Sequence, residues 1–149
     1  MPASKLSVSM PEPVAAALLA RGDTPSSAVT KVVLRYIGLL SAARRELRAQ
    51  LTESECALIL DACNGTAYMD MVSVRLLPEG VADAIELDGL DRKWGVDGTS
   101  LMVKLRATTL TQRMALVDGL QRWWGNPERG GYSELLTDPE ADQALSVIF

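Results

Sequence analysis

The stretch Lys5-Leu-Ser-Val-Ser-Met-Pro11 constrains this chain more than any other. Leu6, Val8 and Met10 alternate with Lys5, Ser7 and Ser9, the period of a strand with one buried and one free face. The segments that follow read as helices, so a single strand of this length has nothing to pair with in so small a unit. Unpaired backbone N–H and C=O groups beside a buried face are costly. The spacing therefore predicts that the strand pairs with a second copy of itself.

A short helix is expected from Pro11 to Gly22. Its prolines fit the first turn, Glu12 suits the positive end of the helix dipole, Val14, Ala17 and Leu18 share one face, and Gly22 supplies the stop. Asp23-Thr-Pro-Ser-Ser27 then starts a second helix, with Thr24 as cap and Pro25 at the first helical position. That helix carries Val29, Val32, Val33, Tyr36, Ile37, Leu40 and Leu47 at three-and-four spacing, with Lys31, Arg35, Arg44, Arg45 and Arg48 mostly off the stripe. It reaches about residue 50, or roughly 40 Å. Gly38 inside it costs about 1 kcal/mol relative to alanine unless it permits close packing or a bend.

Taken together, the alternating strand, the Pro-Glu helix start, the Gly22, Thr24, Ser26 turn and the apolar-striped helix resemble a ribbon-helix-helix domain of the Arc and MetJ type. The resemblance covers residues 4 to about 43. It implies a homodimer whose paired strands form an antiparallel ribbon in the DNA major groove, while the start of each second helix meets phosphate. By position it implies Lys5, Ser7 and Ser9 as base-facing residues and Thr24, Ser26 and Ser27 as phosphate-binding residues. The chemistry agrees in kind: lysine donates to guanine O6 or N7, a serine hydroxyl donates or accepts, and free N–H groups at a helix start bind phosphate. The alternative is that Lys5, Ser7 and Ser9 are only the solvated face of a strand used for dimerisation. Arg44, Arg45 and Arg48 are expected to complement the dipole at a helix C-terminus.

Charge divides the chain in the same way. Residues 1–50 hold seven Lys or Arg against three acids, a net +4, so residues 51–149 carry −8 of the overall −4. A basic head on an acidic body suits a head that meets a polyanion. No run approaches the roughly twenty apolar residues of a membrane helix, and no basic-then-apolar leader is visible, so a cytoplasmic chain is expected. Cys56 and Cys63 lie seven apart, about 10 Å along a helix, too far for a disulfide.

Residues 51–149 read as a second, all-α domain, which makes the whole chain mainly α with domains at 1–50 and 51–149. Thr52 caps a helix with Glu55 answering it, Leu51 can staple onto Cys56, and Asn64-Gly65 closes the helix. Further helices are expected from about Ala67 to Leu77, broken at Pro78, and around Val81, Ala82 and Ile85. Leu90 to Gly98 reads as a loop anchored by Trp94. Another helix opens at Thr99, another at Leu110-Thr111 and ends in Trp123-Trp124-Gly125, and a last one starts at Asp138-Pro139. Of the adjacent pair Trp123 and Trp124, one is expected inside and the other at a helix end, the alternative being that the outward one is an aromatic anchor for a partner.

The chain has no histidine, which removes the commonest general base and zinc ligand. There is no phosphate-binding glycine loop and no calcium-loop ladder in the acidic run Asp83, Glu86, Asp88, Asp91, Asp97. No catalytic residue, metal or cofactor is therefore expected, and an enzyme is the least favoured class. Two functions remain. The first is a homodimeric or higher-order DNA-binding regulator, with double-stranded DNA as partner and a C-terminal module for oligomerisation, a protein or a ligand. The second is an antitoxin-like interaction subunit whose N-terminal unit serves mainly to dimerise.

Overall fold

The computed structural model describes residues 5–22, 24–64 and 74–148. Within them lie eight α-helices, one 3-10 segment and no strand: α1 (Glu12–Leu19), α2 (Pro25–Gln50), α3 (Glu53–Ala62), α4 (Leu77–Asp88), α5 (Leu90–Trp94), α6 (Gly98–Arg106), α7 (Leu110–Gly125), the 3-10 turn (Tyr132–Leu136) and α8 (Pro139–Ile148). The helical architecture agrees with the sequence reading. The strand expected at residues 5–11 is not seen; a strand is defined by its hydrogen-bonded neighbour, and this segment has none in the single chain.

The chain forms two compact units, Met1–Ile37 and Gly38–Phe149. The sequence boundary at residue 50 marks the end of α2, whereas packing divides the chain inside that helix. The long helix itself needs no special device: its only interior glycine, Gly38, has Leu145 Cδ2 4.0 Å from where a Cβ would stand, an ordinary contact.

The second unit has a continuous apolar core. Leu40, Ala43 and Leu47 from the end of α2, Cys56 to Leu60 from α3, Leu77 and Val81 from α4, Leu101 and Leu105 from α6, and Leu116 and Leu120 from α7 are all buried. The third helix is the hub, in contact with α4, α5 and the 3-10 turn. It starts as its sequence requires: Thr52 Oγ1 accepts from Glu55 N–H at 3.1 Å, and Glu55 Oε1 accepts from Thr52 N–H at 2.9 Å. The buried Glu55 carboxylate also receives Lys104 Nζ at 2.8 and 3.0 Å, so its charge is paired.

Several expectations are corrected in this unit. The segment Leu90–Trp94 is a helical turn between Gly89 and Gly95, both at positive φ, rather than loop. The helix start placed at Leu110-Thr111 is capped two residues earlier, where Thr109 Oγ1 accepts from Gln112 N–H at 3.1 Å. Pro78 sits in the first turn of α4, where it starts the helix. The helix expected from Ala67, and Gly65 as a stop, lie in large part outside the described residues.

Arg44 is also not an exposed cation at a helix end. It is 2% exposed, with Nη1 3.8 Å from Asp118 Oδ2. Burial lowers its pKa, opposed first by Asp138 and then by Asp118 and Asp142, with Arg122 adding to the lowering. Asp118 also accepts from Arg122 Nε at 2.9 Å, and Asp138 lies 3.5 Å from the same nitrogen. Arg48 donates to the Leu136 carbonyl at 2.6 Å, while Arg45 is exposed.

Candidate nucleic-acid interface

The first unit is built from a segment without regular secondary structure, a short helix and the first half of α2. Pro11 caps the start of α1 with φ −56° and ψ 145°, itself in the polyproline region, and its carbonyl accepts from Ala15 N–H at 3.0 Å. The turn after α1 depends on Gly22. A Cβ there would lie 2.6 Å from Ala28 N and 2.7 Å from Ala28 Cα, so only glycine lets the turn close onto the start of α2. Thr24 then caps that helix, its Oγ1 accepting from Ser27 N–H at 3.1 Å, and its carbonyl accepts from Ala28 N–H at 2.9 Å.

The apolar side chains of this unit are exposed. Leu6 is 89% and Val8 66% accessible, and Val14, Leu19, Val29, Val33 and Tyr36 are exposed as well. Among the described residues 5–37, Ala28 alone is buried. Leu6, Val8 and Met10 join Leu18, Leu19 and Val29 around an open apolar cleft of about 520 Å³. The alternation of residues 5–10 is thus intact as a pattern, but its apolar half faces a space and not a core.

The candidate contact residues are accessible. Lys5, Ser7 and Ser9 are exposed and form no hydrogen bond or ion pair with another described residue. Thr24 and Ser26 are exposed and Ser27 is half-buried at the start of α2, where Ser26 lines the same cleft as Leu6 and Val8. Thr24 is already engaged as the helix cap. Any anion met there would meet a helix start at which Thr24 already takes the Ser27 N–H and whose first position, Pro25, has no N–H to offer.

Elsewhere the chemistry is sparse. Among the described residues no group of three or more His, Cys, Asp or Glu side chains could hold a metal ion, and no helix is long and apolar enough to cross a membrane. Cys56 and Cys63 are buried free thiols; burial, with Glu55 and Glu53 nearby, pushes the Cys56 pKa up to about 12, so it stays protonated at neutral pH. Asp61 is held below its ordinary value, chiefly by the hydrogen bond from Lys93 and also by that from Trp94. Sequence reasoning named Trp94, Trp123 and Trp124 but not Asp61, nor their meeting, because the partners of Asp61 are more than thirty residues away. Set against known proteins, the chain matches no family model, no curated protein and no solved structure.

Proposed function

We propose that this chain acts as a homodimeric DNA-binding protein of the ribbon-helix-helix kind, a transcriptional regulator whose second unit oligomerises or receives a partner. One observation carries the reading: the first unit has the side chains of a core and no core, with a single buried residue among those described between 5 and 37. Isolated units of about forty residues rarely bury enough apolar surface to persist without cross-links, metal or association. Two copies of residues 5–10 laid antiparallel would satisfy each other's backbone groups and turn Leu6, Val8 and Met10 onto the cleft. The same pairing would leave Lys5, Ser7 and Ser9 of both chains side by side on the outer surface, with the helix starts at Thr24, Ser26 and Ser27 flanking them.

Fluorescence anisotropy with random-sequence duplexes tests this at several salt concentrations. Affinity is expected to fall steeply as salt rises, because each neutralised phosphate releases condensed counterion. Lys5→Ala should weaken binding at every salt concentration, and selection of bound sites from a random pool should return a two-fold symmetric sequence. Absent binding at low salt, in a protein shown to be dimeric, would overturn the DNA assignment.

The acidic body favours a second reading, in which the first unit serves only to dimerise and residues 51–149, at −8, hold a basic protein partner. Co-purification distinguishes the two: a stoichiometric protein partner with no affinity for duplex supports the second.

A further inference from the structure

The aromatic residues of this chain are few and concentrated. Of three tryptophans, three tyrosines and one phenylalanine, all three tryptophans and Tyr132 line one cavity of about 170 Å³, together with Asp61 and Lys93. Trp94 meets Tyr132 edge to face, with ring centroids 5.2 Å apart at 77°, and Trp123 lies 5.9 Å from Tyr132 at 33°. These are ordinary aromatic packing distances, so the walls support one another. Asp61 lies at the same cavity, its Oδ2 accepting from Trp94 Nε1 at 2.9 Å and from Lys93 Nζ at 2.7 Å.

An ammonium group already occupies this environment. Lys93 Nζ is 5.6 Å from the centroid of the Trp94 ring while it is ion-paired with Asp61, which satisfies both the cation–π and the carboxylate requirement. Its side chain is 59% exposed, so the ammonium is a loosely tethered occupant and not a sealed structural charge. A cavity of roughly 150 Å³ holds a benzene-sized group, which is also about the bulk of a trimethylammonium head. The volume is too small for a drug-sized ligand, since sites of that kind run to roughly 300–1,000 Å³. Trp124, whose Nε1 is buried without an acceptor among the described residues, lines the same cavity.

We propose that this cleft, formed by α3, α5, α7 and the 3-10 turn, is a binding site for a small organic cation with a methylated ammonium head, and that Lys93 occupies it in the ligand's absence. The ligand's head displaces the lysine ammonium from Asp61, and its methyl groups pack on the faces of Trp94 and Tyr132. This site does not depend on how the first unit is used. Its chemistry is an anionic carboxylate beside π faces, and the pKa of Asp61, held low by Lys93 and Trp94, keeps that carboxylate charged at neutral pH.

Tryptophan fluorescence of the full chain, titrated with tetramethylammonium chloride and with sodium chloride at equal ionic strength, tests the proposal. A saturable change with tetramethylammonium and none with sodium is expected. Asp61→Asn should weaken binding about tenfold or more, and Tyr132→Ala by several-fold. Lys93→Ala should tighten it by roughly three- to tenfold, because the tethered competitor is gone. That increase separates a ligand site from a merely structural aromatic cluster, in which losing Lys93 gains nothing. Lys93 is at the surface, so this variant stays informative even if Asp61→Asn fails to fold. No saturable response up to tens of millimolar, or weaker binding in Lys93→Ala, overturns the assignment.

Discussion

Residues 5–37 and residues 38–149 use the same kinds of side chain and arrive at opposite conditions. In the second unit Leu40 and Leu47 of α2, Leu58 and Leu60 of α3, Leu101 and Leu105 of α6, and Leu116 and Leu120 of α7 are sealed from solvent and the charges among them are largely paired, as Glu55 is by Lys104. In the first unit Leu6, Val8 and Val29 stand open around a cleft, although they fall into strand and helix spacing as regular as any in the body. The difference teaches that an apolar pattern says what must be buried and leaves open which molecule buries it. A core of one's own needs several facing elements; one short helix, the first half of α2 and a segment without regular structure supply too few.

The largest effect should come from putting a charge into the open unit. Val8→Asp is expected to weaken self-association about 100-fold or more, since an unpaired carboxylate at an apolar interface costs several kcal/mol. Sedimentation equilibrium reads the association, and urea unfolding should show residues 38–149 nearly unchanged. Equal loss in both measurements would break the comparison, because it would mean that the body depends on the head.

Two glycines sharpen it with effects of intermediate size. A Cβ at Gly119 would lie 2.1 Å from the Leu135 carbonyl oxygen, so Gly119→Ala forces the 3-10 turn away from α7. It should cost the body at least about 1–3 kcal/mol in urea unfolding and leave association intact. Gly22→Ala is the mirror case, meeting Ala28 backbone in the first unit. It should weaken association and DNA binding without moving the unfolding midpoint of the body.

The smallest effects test whether the body stands on its own local chemistry. Thr52→Ala removes one cap and should cost about 1 kcal/mol. The Cys56 thiol gives a pH signature: its pKa is raised from an ordinary 9.0 to about 12, so the folded chain keeps the proton while the unfolded chain loses it. Its contribution is therefore complete below pH 9 and is lost as pH rises toward 12, at up to about 1.4 kcal/mol per unit. Urea unfolding at pH 8 and pH 10 should show a fall that is shallower in Cys56→Ala.

What could be read from the sequence was whatever is encoded within one helical turn. The Thr52 and Glu55 capping box, the Pro25 helix start and the Gly22 turn are local devices, and they stand where their residues imply. The helical turn at Leu90–Trp94 was missed because five residues between two glycines are too short to show a period. Thr109 was passed over for the echo of Leu51-Thr52 in Leu110-Thr111. The burial of Arg44 was not legible at all, because Asp118 is 74 residues away and nothing near Arg44 announces it. Gly119 carried a signal that went unread: a glycine within a helix is costly unless something packs against it, an argument applied to Gly38, where the contact turned out to be slight. The gathering of all three tryptophans about Asp61 likewise needed the third dimension.

Backbone hydrogen exchange at residues 5–10 across a range of protein concentrations tests the central claim most directly. If a second copy completes the first unit, protection of these amides must appear and grow in step with the dimer fraction, while protection in α3 and α7 stays constant. Exchange at the rate of a free peptide in a fully dimeric sample, or protection that ignores concentration, would contradict it.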